Sequence, residues 1–202
     1  MENSNMFKNV PFYENTEDNT HCFQAAIRMV LKYFFPDEEY SFDQIDELTR
    51  KPKDKWTWPM AGLTFMTEHN LEVIHISDLD YARFGKEGRT YLKDFLPAKN
   101  MKMQEERSDL DLAQIDASEY SRSLVNMKNR PPKYTDLIQL VNDGYLLIAY
   151  VNRKHFVVVY HVTPESVELH NPGLPPEKSV TMTRNEFKLI WNGGQVMAFR
   201  KI

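Results

Sequence analysis

The sequence predicts an α+β protein in which a helical part comes first and an antiparallel β-sheet follows. Apolar residues recur at helical spacing in several segments before residue 143, whereas short apolar runs separated by turns fill the rest of the chain. Helices first and strands afterwards favour α+β over an alternating α/β arrangement. A chain of 202 residues that is 42% hydrophobic can bury one sizeable core, and no linker or repeat divides it. We therefore expect one domain over residues 1–202, helical at about 1–143 and sheet-forming at about 144–202.

The helical part is expected to begin with a largely buried helix at residues 21–35. Phe23, Ile27 and Val30 stand at helical spacing there, and Pro36 ends the segment. Ser41 followed by a glutamine three residues later is typical of a capping box at the start of a second, short helix. The pattern then predicts a helix at residues 57–69, a strand at 71–76, mainly helical structure at 89–129 and a helix from Thr135 to Gly144.

The sheet part is expected to be a series of short apolar strands, with one short helix at residues 185–191. The strands are predicted at residues 145–151, 155–162, 167–171, 179–182 and 195–200.

Bulk composition argues against several classes of protein. The 25 basic and 29 acidic side chains give a net charge of −4 without large blocks of one sign, which is not typical of an electrostatic nucleic-acid binder. The apolar run at residues 145–150 is far shorter than the ~20 residues that span a bilayer, and residues 1–19 lack a signal-peptide segment. A lone cysteine, Cys22, fits a reducing compartment. We expect a cytoplasmic protein that binds neither nucleic acid nor membrane.

Cys22 is the first candidate for chemistry because it stands in the first turn of the predicted buried helix. Unpaired backbone amides and the positive end of the helix dipole at such a position lower the pKa of a thiol and stabilise the thiolate. The alternative is structural, since a free cysteine is often a small buried hydrophobic residue.

His155 and Asn171 are the second and third candidates. His155 begins an apolar strand, where it could also be a hydrogen-bonded core residue, and Asn171 begins Asn-Pro-Gly, which a simple turn would explain. If their strands pair through a turn at residues 163–166, the two side chains lie opposite or diagonal to each other, ~5 to 8 Å apart. An amide would then fix the orientation of an imidazole.

The three residues together would form an activated nucleophile, with a thiol, a histidine to take its proton and an amide to orient that histidine. Attack on a carbonyl also requires hydrogen-bond donors for the oxyanion. One donor would be the backbone N–H of Cys22, and the other a side-chain amide from the preceding loop. Asn15 and Asn19 are the candidates for that amide.

Several short segments resemble the papain-like cysteine peptidases, and most closely the bacteriocin-processing, double-glycine leader peptidases. They occur in family order and cover the first ~35 and last ~70 residues well, while the middle third matches loosely. The matching segments are residues 10–13, Cys22 with Ala25, Ala26 and Met29, residues 155–160, residues 171–173 and residues 187–191.

This resemblance implies a papain-like fold and a catalytic set in which Cys22 is the nucleophile, His155 the general base and acid, and Asn171 the orienting residue. The family usually has glutamine at the oxyanion position, where Asn15 stands here, and glycine where Phe23 follows the cysteine. The implied activity is that of a cysteine peptidase or amide hydrolase that forms a thioester with a peptide or amide substrate. We expect no cofactor, no metal and a freestanding peptidase without a transporter.

Two other functions remain open. The departures at Asn15 and Phe23 favour a catalytically inactive binding module that keeps the peptidase fold. An acyltransferase would share the first half of the reaction and pass the acyl group to an amine or thiol.

Two features of the middle third have both a functional and a structural interpretation. The basic and aromatic residues at 51–58, including Trp56 and Trp58, could form a wall of a substrate cleft, but a solvated loop with inward-packed tryptophan is the favoured prediction. The methionine-bearing stretch at 100–129 could cover a cleft or bind a partner, although an ordinary packed helical insertion is favoured. A metal site formed by Cys22 with His21, His161 and His170 has no ligand spacing to support it.

Overall fold

The computed structural model describes residue 7 and residues 9–202; the remaining residues of the predicted domain, 1–6 and 8, lie outside this part. The helices in the described part are α1 (Cys22–Phe34), α2 (Phe42–Leu48), α3 (Met60–Glu68), α4 (Tyr81–Glu87), α5 (Arg89–Phe95), α6 (Ala98–Arg107), α7 (Leu110–Tyr120), α8 (Tyr134–Asn142) and α9 (Arg184–Trp191). The strands are β1 (Leu71–Ser77), β2 (Asn126–Asn129), β3 (Leu146–Val151), β4 (His155–Val162), β5 (Ser166–Asn171), β6 (Glu177–Thr183) and β7 (Val196–Lys201).

One seven-stranded sheet forms the centre of the fold, in the order β2-β1-β7-β3-β4-β5-β6. The α+β class is confirmed, and five of the strands come from the predicted sheet part. Of the other two, β1 confirms the strand predicted at residues 71–76, and β2 comes from the stretch expected to be helical. β1 pairs antiparallel with β7 and parallel with β2, so the sheet is mixed rather than purely antiparallel.

β2 falls in the stretch that was expected to be helical, and that expectation is wrong at residues 126–129. The strand is the polar sequence Asn-Met-Lys-Asn at the edge of the sheet, and most of it is exposed. A polar edge strand has no buried face, so it lacks the alternation of apolar and polar residues by which a strand is recognised. The short helix α4 was not predicted either.

Helix α1 lies against β4, with most of its surface buried. Phe23, Ile27 and Leu31 are at most 2% exposed, and burying such side chains contributes roughly 1.5–3 kcal/mol each. Pro36 follows the helix and prevents its continuation. This packing brings the first residue of α1, Cys22, to the start of β4, where His155 lies.

The β3–β4 hairpin and the chain before β7 come close together at the same end of the sheet. Asn152 and Arg153 both have positive φ values, 52° and 56°, and are the central residues of a turn in which the amide of Lys154 donates to the oxygen of Val151 at 3.2 Å. A Cβ on Gly194 would lie 2.2 Å from the backbone oxygen of Tyr150, so only glycine fits this approach. The backbone amide of Tyr150 then donates to the oxygen of Gln195 at 3.0 Å.

Across residue 7 and residues 9–202, no helix combines the length and the apolar character needed to cross a bilayer.

Candidate active site

His155 and Asn171 meet at the ends of two adjacent strands. Val158 of β4 pairs with His170 of β5. One position further in the same register, Asn171 falls opposite Val157, so His155 is diagonal to Asn171. The Nε2 atom of His155 is 2.8 Å from Oδ1 of Asn171. Because an amide oxygen only accepts hydrogen bonds, Nε2 must carry the proton and Nδ1 remains an acceptor.

The orientation of the Asn171 amide is set by two further contacts. Its Nδ2 donates to Oε2 of Glu177 at 2.8 Å, and its Oδ1 accepts from the backbone amide of Gly173 at 3.0 Å. The oxygen is therefore directed towards His155. Gly173 also packs directly on the pair, since a Cβ there would lie 2.9 Å from Oδ1 of Asn171 and 3.2 Å from Nε2 of His155.

Cys22 begins α1, and the backbone amide of Phe156, the residue after His155, is close enough to its sulfur to influence its pKa. Burial raises the pKa of the Cys22 thiol, while hydrogen bonds from the amides of Phe156, Phe23 and Cys22 itself lower it. The net direction is upward. The sequence predicted a lowered pKa from the helix position, and this is not what the structure shows, because loss of hydration penalises the thiolate more than the amides favour it.

Burial also determines the charge state of the histidine. It lowers the pKa of His155, the hydrogen bond to Asn171 raises it, and the nearby charge of Lys154 lowers it further. The net direction is downward. Both directions favour the uncharged form, a thiol at Cys22 and a neutral imidazole at His155, near pH 7.

Asn15 holds together the loop that precedes Cys22. The side-chain oxygen of Asn15 accepts from the amides of Thr16 at 2.9 Å and His21 at 2.8 Å, and its Nδ2 donates to Oδ1 of Asn19 at 2.8 Å. Its backbone amide donates to the oxygen of Pro172 at 2.8 Å. Asn15 is 8% exposed and thus links the cysteine loop to the turn after β5.

A cleft of about 430 Å³ opens beside Cys22. Asn19 lines it, whereas Asn15 lies behind Asn19. The apolar residues that line the cleft come from both halves of the chain; they include Phe23, Trp56, Trp58, Phe95, Leu96, Tyr150, Phe156 and Trp191.

The comparisons with known proteins agree with this geometry. The Peptidase C39 family matches residues 99–201, just over half of the chain. The chain belongs to the Peptidase C39 family. It is thus a cysteine peptidase-like hydrolase with a papain-like fold. The matched stretch contains His155 and Asn171, whereas Cys22 and Asn15 precede it.

Solved structures show the same fold over nearly the whole chain. One is described as a double glycine motif protease from an AMS/PCAT transporter in complex with the leader peptide; it is 15% identical, covers 96% of this chain and 92% of its own, and has a TM-score of 0.53. Another is the peptidase domain of Streptococcus ComA, a bi-functional ABC transporter involved in a quorum sensing pathway. It is 12% identical, the match covers 96% of this chain and 99% of the other chain, and the TM-score is 0.52. No curated protein matches the sequence.

Phe23 replaces the glycine that usually follows the cysteine in related peptidases, and the structure shows where its ring goes. The side chain is 2% exposed and packs on Phe156 with ring centroids 4.9 Å apart. A Cβ on Gly62 would lie 3.0 Å from the Phe23 ring, so Gly62 makes room for it. The ring is accommodated in the core at the inner wall of the cleft.

The middle third of this C39 protein contributes to the cleft more than the sequence suggested. Residues 51–58 form a loop in which Lys53 and Asp54 are exposed and Trp58 packs on Phe84, as the favoured prediction expected, and Trp56 and Trp58 also line the cleft, as the alternative expected. The methionine-bearing stretch at 100–129 is partly a packed helical insertion, but Asn100, Met103 and Gln104 of α6 also face the cleft. These walls are brought to Cys22 by tertiary packing, so the local sequence could not decide between the two interpretations of each segment.

The other histidines near the site have structural partners. His21 contacts Oγ1 of Thr16 through Nδ1 at 2.6 Å and Oδ2 of Asp46 through Nε2 at 3.0 Å. His170 contacts the oxygen of Val10 at 3.0 Å. In the described part of the chain, no three His, Cys, Asp or Glu side chains are grouped so that they could hold a metal ion.

Proposed function

We propose that the protein is a peptidase that cleaves a peptide bond through a thioester on Cys22. The observation that carries this proposal is the hydrogen bond between Nε2 of His155 and Oδ1 of Asn171, because it leaves Nδ1 free to accept the thiol proton. The proximity of the Cys22 sulfur to the amide of Phe156 supports it, since the sulfur then lies one residue along β4 from the imidazole.

Acylation would begin from the neutral pair. As the Cys22 sulfur forms a bond to the carbonyl carbon of the substrate, its proton passes to Nδ1 of His155 and the carbonyl oxygen becomes an oxyanion. The oxyanion then reforms the carbonyl, the carbon–nitrogen bond breaks, and the leaving amine takes the proton from Nδ1. Asn171 holds the ring throughout by accepting from Nε2–H.

Deacylation would repeat these steps with water in place of the thiol. Nδ1 of His155 takes a proton from water as the water oxygen attacks the thioester carbon. Collapse of the tetrahedral intermediate breaks the carbon–sulfur bond, and the sulfur recovers its proton from His155.

We propose that the oxyanion is stabilised by the backbone N–H of Cys22 and by a side-chain amide of the preceding loop. Asn15 remains the residue that the family pattern assigns to this position. One N–H of its amide is used by Asn19, which itself faces the cleft, so the two asparagines form a linked pair of amides at the site. Kinetics of separate Asn15→Ala and Asn19→Ala variants would show which amide serves the oxyanion, because its removal should lower kcat.

The substrate in this proposal is a peptide with apolar side chains. The first of the similar structures was determined with a leader peptide, and aromatic rings, among them those of Trp56, Trp58 and Tyr150, form part of the cleft wall here. The sheet includes strands from both halves of the chain, which supports a single domain over residues 1–202. The lone cysteine supports a reducing, cytoplasmic location.

A catalytically inactive binding module is the second candidate. The observation that favours it is the upward shift of the Cys22 pKa, because a thiol that resists ionisation is a weak nucleophile unless a base assists it.

Cleavage of a pool of synthetic peptides, followed by mass spectrometry, separates the two functions. The peptidase proposal predicts new peptide ends with the wild-type protein and none with Cys22→Ala. Binding of peptides from the pool without cleavage by either protein would favour the binding module.

A further inference from the structure

A buried polar network joins β1, α4 and α7 to the residue just before β7. His75 is fully buried, with Nδ1 2.7 Å from the hydroxyl of Tyr120 and Nε2 2.7 Å from Oε1 of Gln195. The hydroxyl of Tyr81 donates to the same Oε1 at 2.8 Å. Because Oε1 only accepts, Nε2 of His75 carries the proton and Tyr120 donates to Nδ1.

This network fixes the orientation of the Gln195 amide. Two donors, His75 and Tyr81, occupy its oxygen, so the NH₂ group, bonded to the same carbon, points away from these two side chains. Gln195 is half-buried and lines the same cleft as Cys22. The position therefore offers a pre-oriented hydrogen-bond donor to a ligand in the cleft.

The distance between Gln195 and the thiol follows from the sheet. The oxygen of Gln195 accepts from the amide of Tyr150, Tyr150 pairs with Phe156, and the amide of Phe156 lies near the Cys22 sulfur. These two steps between neighbouring strands separate the backbone of Gln195 from that of Phe156, beside the thiol, by roughly 10 Å, the length of about three residues of extended peptide.

The surroundings of Gln195 favour a neutral acceptor over a carboxylate. Burial lowers the pKa of His75 to about 4, so its ring is neutral near pH 7. Burial raises the pKa of Tyr81 well above its usual range. The charged residues that line the cleft have both signs, Asp78 against Arg153 and Lys154, so the preference for a neutral acceptor comes from the uncharged side chains bonded to Gln195.

We propose that the Gln195 amide donates a hydrogen bond to a backbone carbonyl of the bound peptide, about three residues from the bond that is cleaved. His75 and Tyr81 act as positioning residues that keep its NH₂ group directed into the cleft. The proposal rests on the proposed function, because it places the scissile bond at Cys22.

A series of acetylated oligoglycine aldehydes, from one to five glycine residues, tests this subsite. The thiol of Cys22 adds to the aldehyde carbon, forming a carbon–sulfur bond while its proton passes to the aldehyde oxygen. A ¹³C label at the aldehyde carbon lets NMR measure the dissociation constant of each hemithioacetal. Because glycine has no side chain, the series reports backbone contacts alone.

As the aldehydes become longer, we expect their affinity for the protein to increase about five- to tenfold when the third or fourth residue is added. One neutral hydrogen bond provides a gain of this size. The step should disappear in Gln195→Leu and Gln195→Glu and shrink in Tyr81→Phe, which leaves one donor on the oxygen. Affinity for the one-residue aldehyde should stay unchanged in all three variants, which also verifies that they are folded.

A step of equal size in wild-type protein and Gln195→Leu would overturn the subsite, as would a series without a step in the wild type. If the one-residue aldehyde forms no adduct with wild-type Cys22, the proposed function is contradicted, and the subsite that depends on it is overturned too.

Discussion

The Nε2 atom of His155 lies 2.8 Å from Oδ1 of Asn171, and this contact decides which ring nitrogen is free to act as a base. Glu177 and Gly173 hold the asparagine from two other directions. The contacts with Glu177 and Gly173 set the orientation of the Asn171 amide, and the amide oxygen in turn sets the tautomer of the imidazole.

Replacing Asn171 with alanine should remove this orientation. Without an acceptor for Nε2–H, the ring can rotate and change tautomer, so we expect kcat to fall about 100-fold. Peptide binding to Asn171→Ala in a Cys22→Ala background should match that of Cys22→Ala alone, because the amide is used by the histidine. A wild-type kcat in Asn171→Ala would show that Asn171 has no part in positioning the base.

Adding one methyl group at Gly173 should have a similar effect without removing any functional group. The new Cβ would lie 2.9 Å from Oδ1 of Asn171 and 3.3 Å from Cε1 of His155, so the pair must separate. We expect Gly173→Ala to lower kcat at least tenfold, and urea unfolding would determine whether the fold is retained. Unchanged kinetics would mean that the turn moves instead of the pair.

The protonation states predict how activity and thiol reactivity depend on pH. Because the pKa of Cys22 is raised, the rate at which iodoacetamide alkylates this lone cysteine should increase only at pH values above ~8.5, the usual pKa of a free cysteine. With the pKa of His155 lowered, kcat/KM should already be high at pH 7 and fall as acid protonates the ring below its usual pKa of ~6.5.

The two profiles together distinguish a neutral pair from an ion pair. A neutral pair should also give slower turnover in D₂O, because a proton moves from sulfur to nitrogen during attack. An alkylation midpoint below pH 7 would instead indicate a preformed thiolate and contradict the assignment.

His75 should make folding stability depend on pH. Its pKa is about 4 in the folded protein and ~6.5 when unfolded, so the unfolded chain binds more protons between these values and stability is lost as pH falls. The loss between pH 7 and pH 5 should be about 2 kcal/mol from this residue. His155 and His170 shift in the same direction and add to it.

Urea unfolding of wild type and His75→Gln at the two pH values measures the share of His75. Glutamine can bond to both neighbours but does not titrate, so the variant should lose about 2 kcal/mol less between pH 7 and pH 5. An equal pH dependence in both proteins would indicate that His75 is protonated in the fold or is accessible to water.

Local patterns predicted the parts of the site that lie on regular elements. The buried helix at Cys22 and the two strands at His155 and Asn171 are visible from periodicity, and the count of residues through the hairpin predicted that the latter two lie opposite or diagonal to each other. These features depend on neighbours in sequence, which the sequence displays directly.

The parts that the sequence did not reveal depend on tertiary contacts. His75 and Gln195 are 120 residues apart, and nothing local to either indicates that they meet. The pKa of Cys22 depends on how much of the chain covers the thiol, so a rule based on helix position alone gave the wrong direction.

The most direct test of the catalytic assignment is the mass of the protein during turnover. Wild-type protein mixed with a cleaved peptide and quenched in acid should carry an acyl group on Cys22 that hydroxylamine removes. The adduct and the cleavage should both be absent in Cys22→Ala and His155→Ala. Undiminished cleavage by Cys22→Ala would contradict the account.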